Sequence, residues 1–146
     1  MTFTAKDPDY AAKVREIFAA QGFMALIGAE IVHLAPGECA IRVPWRQDLT
    51  QQHGFFHAGV LGTIADNAAG IASFSLMPPG SGVLTVEYKL NLMAPGQGEA
   101  AIARAVVERA GRTITVAVAD VFALQDGAEK KIAKATATVM CLQSKG

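Results

Sequence analysis

Two residues in the middle of the chain have the types and the spacing to do chemistry. His57 closes a polar loop, and Asp66 follows nine residues later inside an unbroken small and apolar run, Ala58 to Phe74. Asp66 is the only charged side chain in that run, and Asn67 follows it. A carboxylate among Gly, Ala, Leu and Ile is costly unless something compensates it. The positions Val60, Leu61, Ile64, Ala65, Ala68, Ile71 and Ala72 keep an i, i+3, i+4 period straight through Asp66. That period predicts one helix whose first turn falls near Ala58. Asp66 and Asn67 as mere caps of a later helix fit it poorly.

The start of such a helix is the second chemical feature. Its first backbone N–H groups have no partner within the helix and carry the positive end of the dipole. Aimed at a carbonyl oxygen, the N–H groups around Ala58 and Gly59 would form an oxyanion hole; an ordinary capped helix start would read the same. Nine residues at ~1.5 Å rise put His57 and Asp66 roughly 13–14 Å apart along one helix. A carbonyl held at the helix start therefore lies out of reach of Asp66 in the same chain. If both ends serve one site, a second chain must supply one of them, as in a two-fold dimer with central helices side by side.

The elements that would position these residues follow from the rest of the pattern. Asp7-Pro8-Asp9 offers an N-cap followed by an early helical proline, which places the cap at Asp7, and Tyr10, Val14, Ile17 and Phe18 recur at helical spacing up to Gly22. From Phe23 the period reads as two, with Ala25, Ile27, Ala29 and Ile31 alternating with Met24, Leu26, Gly28 and Glu30. After the turn Ala35-Pro36-Gly37-Glu38, a second strand over Cys39 to Val43 completes a hairpin. Beyond the breaker Met77 to Gly82, four strands are expected in series: Val83 to Met93, about Glu99 to Arg109, Arg112 to Leu124, and Lys131 to Leu142. The first of these reads with Leu84, Val86, Tyr88, Leu90 and Leu92 on one face and Thr85, Glu87, Lys89 and Asn91 on the other. In the third, Ile114, Val116, Val118, Phe122 and Leu124 oppose Thr113, Thr115, Ala117, Ala119 and Val121. Short turns between strands imply an antiparallel sheet. A helix apolar nearly all round must be buried on most sides. The expected class is α+β, with five to six antiparallel strands curled around one long helix and a short N-terminal helix (residues 1–22) ahead of a single core (residues 23–142).

Composition narrows the function classes. The 146 residues are 51 % hydrophobic and 18 % charged, apolar enough to suggest surface buried between subunits. With 13 basic and 13 acidic side chains the net charge is zero, so no global field draws nucleic acid or an acidic membrane. The N-terminus has no continuous apolar core of a secretory signal, and no uncharged span is long enough for a membrane helix; a cytoplasmic protein is expected. Cys39 and Cys141 lack metal-ligand spacing and read as buried structural thiols. No metal site or phosphate-cradling glycine loop is present in the pattern.

Gln51-x-x-Gly54-x-x-His57-Ala58-Gly59, with Asp66 nine residues after the histidine, resembles the motif of hotdog-fold acyl-coenzyme A (acyl-CoA) thioesterases. It is most similar to the phenylacetate-degradation (PaaI-like) branch. Asn91-Leu92-Met93-Ala94-Pro95 and Arg109-x-Gly111-Arg112 look like that family's later strand end and hairpin. The resemblance implies that Asp66 is the catalytic carboxylate, acting as nucleophile or as general base for water. It implies that the Ala58 N–H, beside Gly59, holds the thioester oxygen, with Gln51 donating its amide to the same atom or orienting water. His57 would fix the loop, and Thr85 would position water. Ala58 departs from the family's glycine, and its methyl narrows the approach. Phe55 and Phe56 make the loop apolar, suiting an acyl or aryl tail or the core. For the CoA phosphates a basic rim is expected at Arg109, Arg112 and Lys89, with Lys130 and Lys131 behind. CoA enters as part of the substrate, and no separate cofactor is implied. The partner is a second copy of the chain, in dimers that pair further into tetramers. Two alternatives stand beside this reading. Gly59-Val60-Leu61 is shared with hotdog hydratases and dehydratases, although Ile64 occupies their glutamate position. A hotdog module that binds acyl-CoA without turnover is the other.

Overall fold

The computed structural model describes residues 1–143. Two helices open it, α1 (Tyr10–Ala20) and α2 (Gly22–Ile27). The strands β1 (Glu30–Ala35) and β2 (Glu38–Pro44) follow, then a 3-10 turn (Gln47–Leu49) and the long helix α3 (Ala58–Phe74). Four strands complete the chain: β3 (Gly82–Leu92), β4 (Ala100–Ala110), β5 (Ile114–Gln125) and β6 (Ala128–Leu142). All six strands form one antiparallel sheet in the order β1-β2-β4-β5-β6-β3. The sheet curls around α3, which touches β2, β3, β4, β5 and β6. This is the hotdog arrangement expected from the sequence.

The tight wrap has a compositional cause. The sheet face toward α3 is lined by Ala101, Ala103 and Ala105 on β4, Ala117 and Ala119 on β5, and Ala135 and Ala137 on β6, all buried. Small side chains let the helix approach, and the helix answers with Ile64, Ala65, Ala68 and Ala72, each essentially inaccessible. The bulkier β5 set, Val116, Val118, Phe122 and Leu124, stays half-exposed on the outer face. Two-residue alternation alone did not say which of the two β5 faces would turn inward.

Four expectations need correction. Residues 23–27 are helical, not the start of a strand: Met24 and Ile27 are buried at i, i+3 spacing, and Gly28 ends α2 at φ +70°, a left-handed cap that glycine adopts without strain. Two helices, not one, therefore precede the sheet. Asp9, not Asp7, stands at the N-cap of α1, while Asp7 is buried and pairs with Lys13 at 2.6 Å. The last strand begins at Ala128 rather than Lys131. In β3, the pairing with β6 shifts between Thr85 and Glu87, leaving Val86 as an extra residue. That bulge reverses the alternation. Thr85 pairs with Val139, and Tyr88 and Leu90 with Ala137 and Ala135, all inward positions of β6, whereas Glu87 and Lys89 pair with the outward Thr138 and Thr136.

Cys39 and Cys141 are both free and buried, and burial pushes the Cys39 thiol up to about 12. They behave as small core residues. Among the described residues no helix is long and apolar enough to cross a membrane.

Candidate active site

His57 is the N-cap of α3, with extended backbone at φ −64°, ψ 138°. Its ring Nδ1 accepts the Gly59 N–H at 2.9 Å, so the neutral ring carries its proton on Nε2. The His57 carbonyl takes the Val60 N–H at 3.0 Å. Among the described residues the Ala58 N–H has no hydrogen-bond partner. Of the two expected backbone donors, Gly59 is thus occupied by the cap and Ala58 is the one left open.

Gln51 is held in the loop before the helix. Its backbone N–H donates to the Phe55 carbonyl at 2.9 Å, and its side-chain Oε1 accepts from the backbone N–H groups of His53 and Phe55. With Oε1 committed to the loop, the Nε2 amide is the end left to donate outward. Gln51 and Ala58 line one cleft of about 480 Å³ together with Phe55, Leu92, Met93 and Pro95. Phe56, at 3 % exposure, belongs to the core.

Asp66 stands elsewhere. It lines a separate cleft of about 270 Å³ with Asn67, Gly70, Val83 and Thr85, closed on the far side by Ile17 and Gln21. Burial raises its pKa above 3.8, and hydrogen bonding from Thr85 pulls it partly back down. Its Oδ1 is buried without a hydrogen-bond partner among the described residues. Asn67 is held from the other side, its amide donating to the Gln21 Oε1. Besides Ala58 at its start, Gly59, Thr63, Asp66, Asn67 and Gly70 are the members of α3 left open or half-open, and these five form its one face not covered by the sheet.

A third cleft, about 530 Å³, opens beside the helix start. His57, Gly59 and Thr63 form one wall, and Phe23, Leu26 and Ile27 of α2 the opposite one. Reading residues 23–27 as a strand hid this wall. The one signal for it is the i, i+3 pairing of Met24 with Ile27 just before Gly28.

The sequence-predicted residues therefore fall into three groups within one chain, Gln51 with Ala58, Asp66 with Thr85, and His57 with Gly59 on the third cleft. The basic candidates lie apart from all three. Arg109, Arg112 and Lys89 are exposed, Arg109 and Arg112 flanking the β4–β5 turn and Lys89 on the outer face of β3. Lys131 is engaged by Asp120 at 2.6 Å. His33 is likewise paired, with Glu38 at 3.0 Å on the surface.

The model of the family described as thioesterase superfamily matches residues 53–130, more than half of the chain and the whole span from the loop through Asp66 to β6. The chain belongs to the thioesterase superfamily. A solved thioesterase-family protein from Silicibacter pomeroyi is 50 % identical, with a TM-score of 0.91 over 92 % of this chain and 99 % of its own. The 1,4-dihydroxy-2-naphthoyl-CoA hydrolase of Listeria monocytogenes is 27 % identical over 65 % of this chain and 77 % of its own. The Escherichia coli PaaI protein, from the phenylacetic acid degradation operon, shares the fold at a TM-score of 0.81 and 16 % identity, over 93 % of this chain and 95 % of its own. Membership of this superfamily supports acyl-thioester hydrolysis as the general activity.

Proposed function

We propose that this superfamily member hydrolyses acyl-CoA thioesters, of small to medium acyl or aryl-acyl groups, to the free acid and CoA in the cytoplasm. The observation that carries this reading is the Asp66 carboxylate, half-buried in a cleft beside the Thr85 hydroxyl and half a helix length from an open N-terminus. The thioester carbonyl oxygen is bound by the Ala58 N–H and the Gln51 amide. Asp66 either takes a proton from attacking water or attacks the carbonyl itself. In both routes the tetrahedral oxyanion is stabilised at the helix start, and collapse expels CoA as the thiol. Thr85 steadies the carboxylate or its water, and His57 keeps the helix start in shape through Gly59.

The two half-sites meet in a two-fold dimer. The sheet has two edges, β1 and β3, and along β3 Leu84, Val86, Tyr88 and Leu92 are each about half exposed, between 45 % and 55 %. A long, apolar, unpaired edge is a site for a second strand. A two-fold axis between Tyr88 and Lys89 sets Thr85 of one copy opposite Leu92 of the other. The Asp66–Thr85 cleft then abuts the Gln51–Ala58 cleft, which Leu92 lines. Arg109, Arg112 and Lys89 hold the CoA phosphates from the sheet side, and such dimers pair again into tetramers.

The test follows free-thiol release from acetyl-, hexanoyl-, decanoyl-, benzoyl- and phenylacetyl-CoA, with Asp66→Asn alongside. Release abolished by that change supports the reading; binding without release sinks it in favour of a binding module. Mixing inactive Asp66→Asn and Gln51→Ala chains tests the shared site. Hybrid dimers should regain about one working site of two if the residues act across the interface, and none if they act within one chain.

A further inference from the structure

The Gln21 side chain serves neither of the helices it joins. Its backbone is fixed on both sides, the N–H donating to the Phe18 carbonyl at 3.1 Å and the carbonyl accepting the Met24 N–H at 3.1 Å. Its side chain caps neither α1 nor α2. It reaches across the fold to α3 instead, where its Oε1 accepts the Asn67 Nδ2–H at 2.5 Å. With Oε1 taken, the amide end of Gln21 is left to donate, and among the described residues it donates to nothing.

Gln21 lines the cleft of about 270 Å³ that holds Asp66, Asn67 and Thr85. Asp66 Oδ1 and Asn67 Oδ1 are both buried acceptors without a donor among the described residues. A buried acceptor left unpaired is costly, and asparagine is a poor helix former away from the ends. Neither packing nor propensity accounts for Asn67 at mid-helix. One cleft therefore carries a spare donor on α1 and two spare acceptors on α3. A single water balances that set, giving its two protons to the acceptors and taking one N–H from the amide. The second lone pair of its oxygen is then the one left to attack.

We infer that Gln21 and Asn67, together with Asp66, hold the water that attacks the thioester, which makes the end of α1 part of the carboxylate half-site. This rests on the thioesterase reading above. Every group in it belongs to the chain that carries Asp66, so it stands whichever copy supplies the helix start. The water oxygen bonds to the thioester carbon and its proton passes to Asp66. The C–S bond then breaks, and the departing thiolate takes that proton. The rival is a Gln21–Asn67 bond that only ties α1 to α3.

The test measures kcat, KM, the acidic limb of the pH profile and the melting temperature with hexanoyl- and phenylacetyl-CoA, in Gln21→Met, Asn67→Ala and the double variant. Gln21→Met keeps the length and apolar stem of the side chain but cannot donate. In both single variants kcat should fall by about tenfold or more, with KM and the acidic limb unmoved. The double variant should lose little beyond the larger single loss, because both residues act on one water. A tie alone lowers the melting temperature and leaves kcat near the parent's, which overturns the inference; so do losses that multiply in the double variant. If Gln21→Met melts below the assay temperature, Gln21→Glu decides. Its carboxylate still accepts from Asn67 Nδ2 but has no N–H to give, so a comparable loss of kcat supports the inference and full kcat overturns it. A parent protein that releases thiol from none of the esters overturns the thioesterase reading itself. An active parent whose Gln21 variants keep full kcat overturns the water site alone.

Discussion

The Thr85 hydroxyl meets the Asp66 carboxylate because the β3 ladder slips by one residue between Thr85 and Glu87. Without the slip, a strand with Tyr88 and Leu90 turned inward would turn Thr85 outward with Glu87 and Lys89. The bulge thus re-aims one side chain onto the helix while the rest of the strand keeps its apolar residues on the core. A Cβ at Gly70 would stand 3.9 Å from the Thr85 hydroxyl oxygen, an ordinary contact, so the approach does not depend on that glycine.

Removing that hydroxyl should shift the pH profile. Turnover needs ionised Asp66, so the acidic limb of kcat/KM reports its pKa, which lies above 3.8. Thr85 is the influence that lowers it. In Thr85→Val the limb is expected to move to higher pH, and in Thr85→Ser to stay near the parent's position. A loss of rate at every pH with an unmoved limb would assign Thr85 to packing alone.

Asp66→Asn should trade activity for stability. Burial holds the folded-state pKa above the unfolded value of 3.8. Between those two pH values the native chain keeps a proton that the unfolded chain has released, so stability falls as pH rises through the window. The cost is complete above the raised pKa and absent well below 3.8. Thermal melts are expected to show Asp66→Asn more stable than the parent at pH 7, with the gap closing in acid. An equal or lower melting temperature at pH 7 would mean that the assembled protein compensates the charge.

Gln51→Glu isolates donation from loop architecture. A carboxylate keeps accepting from the His53 and Phe55 N–H groups, as the Gln51 Oε1 does. It cannot donate to a carbonyl oxygen. The expected loss in kcat is roughly 10²–10³, the range for one oxyanion donor, with an unchanged melting temperature. A variant that unfolds early instead would make Gln51 a loop residue first.

The exposed cations should matter only for the nucleotide end of the substrate. Arg109→Ala, Arg112→Ala and Lys89→Ala are each expected to raise KM for acyl-CoA by roughly 2–5-fold, in keeping with solvent-exposed ion pairs. The effect should shrink at high salt and vanish for the matching acyl-pantetheine ester, which lacks those phosphates. Equal effects on both esters would remove these residues from the phosphate site.

Val86→Lys tests the β3 edge. Val86 is 54 % exposed on the unpaired strand. A lysine there puts a charge that must be desolvated into an otherwise apolar strand pairing. Sedimentation should show monomers, and turnover should fall by about tenfold or more as the half-sites separate. Full activity in a monomer would return both half-sites to one chain.

Much of this site was written in the chain itself. The nine residues from His57 to Asp66 are a covalent distance, and once helical period is recognised they separate the two groups wherever the helix lies. The helix start, the burial of α3 on most sides and the antiparallel strand series followed from local pattern in the same way. Three things did not. Residues 23–27 fit a helical spacing and a two-residue alternation equally well, and burial of Met24 and Ile27 against the core chose between them. The inward face of β5 was the alanine face, because α3 must lie close to the sheet. The slip at Val86 depends on the pairing with β6, with partners Thr138 and Val139 far along the chain. Periodicity is a property of neighbours in sequence, so the chain alone determined which groups stand apart on the helix. Which groups stand together, Thr85 on Asp66 and α2 over Gly59, was decided by packing between segments that sequence does not join.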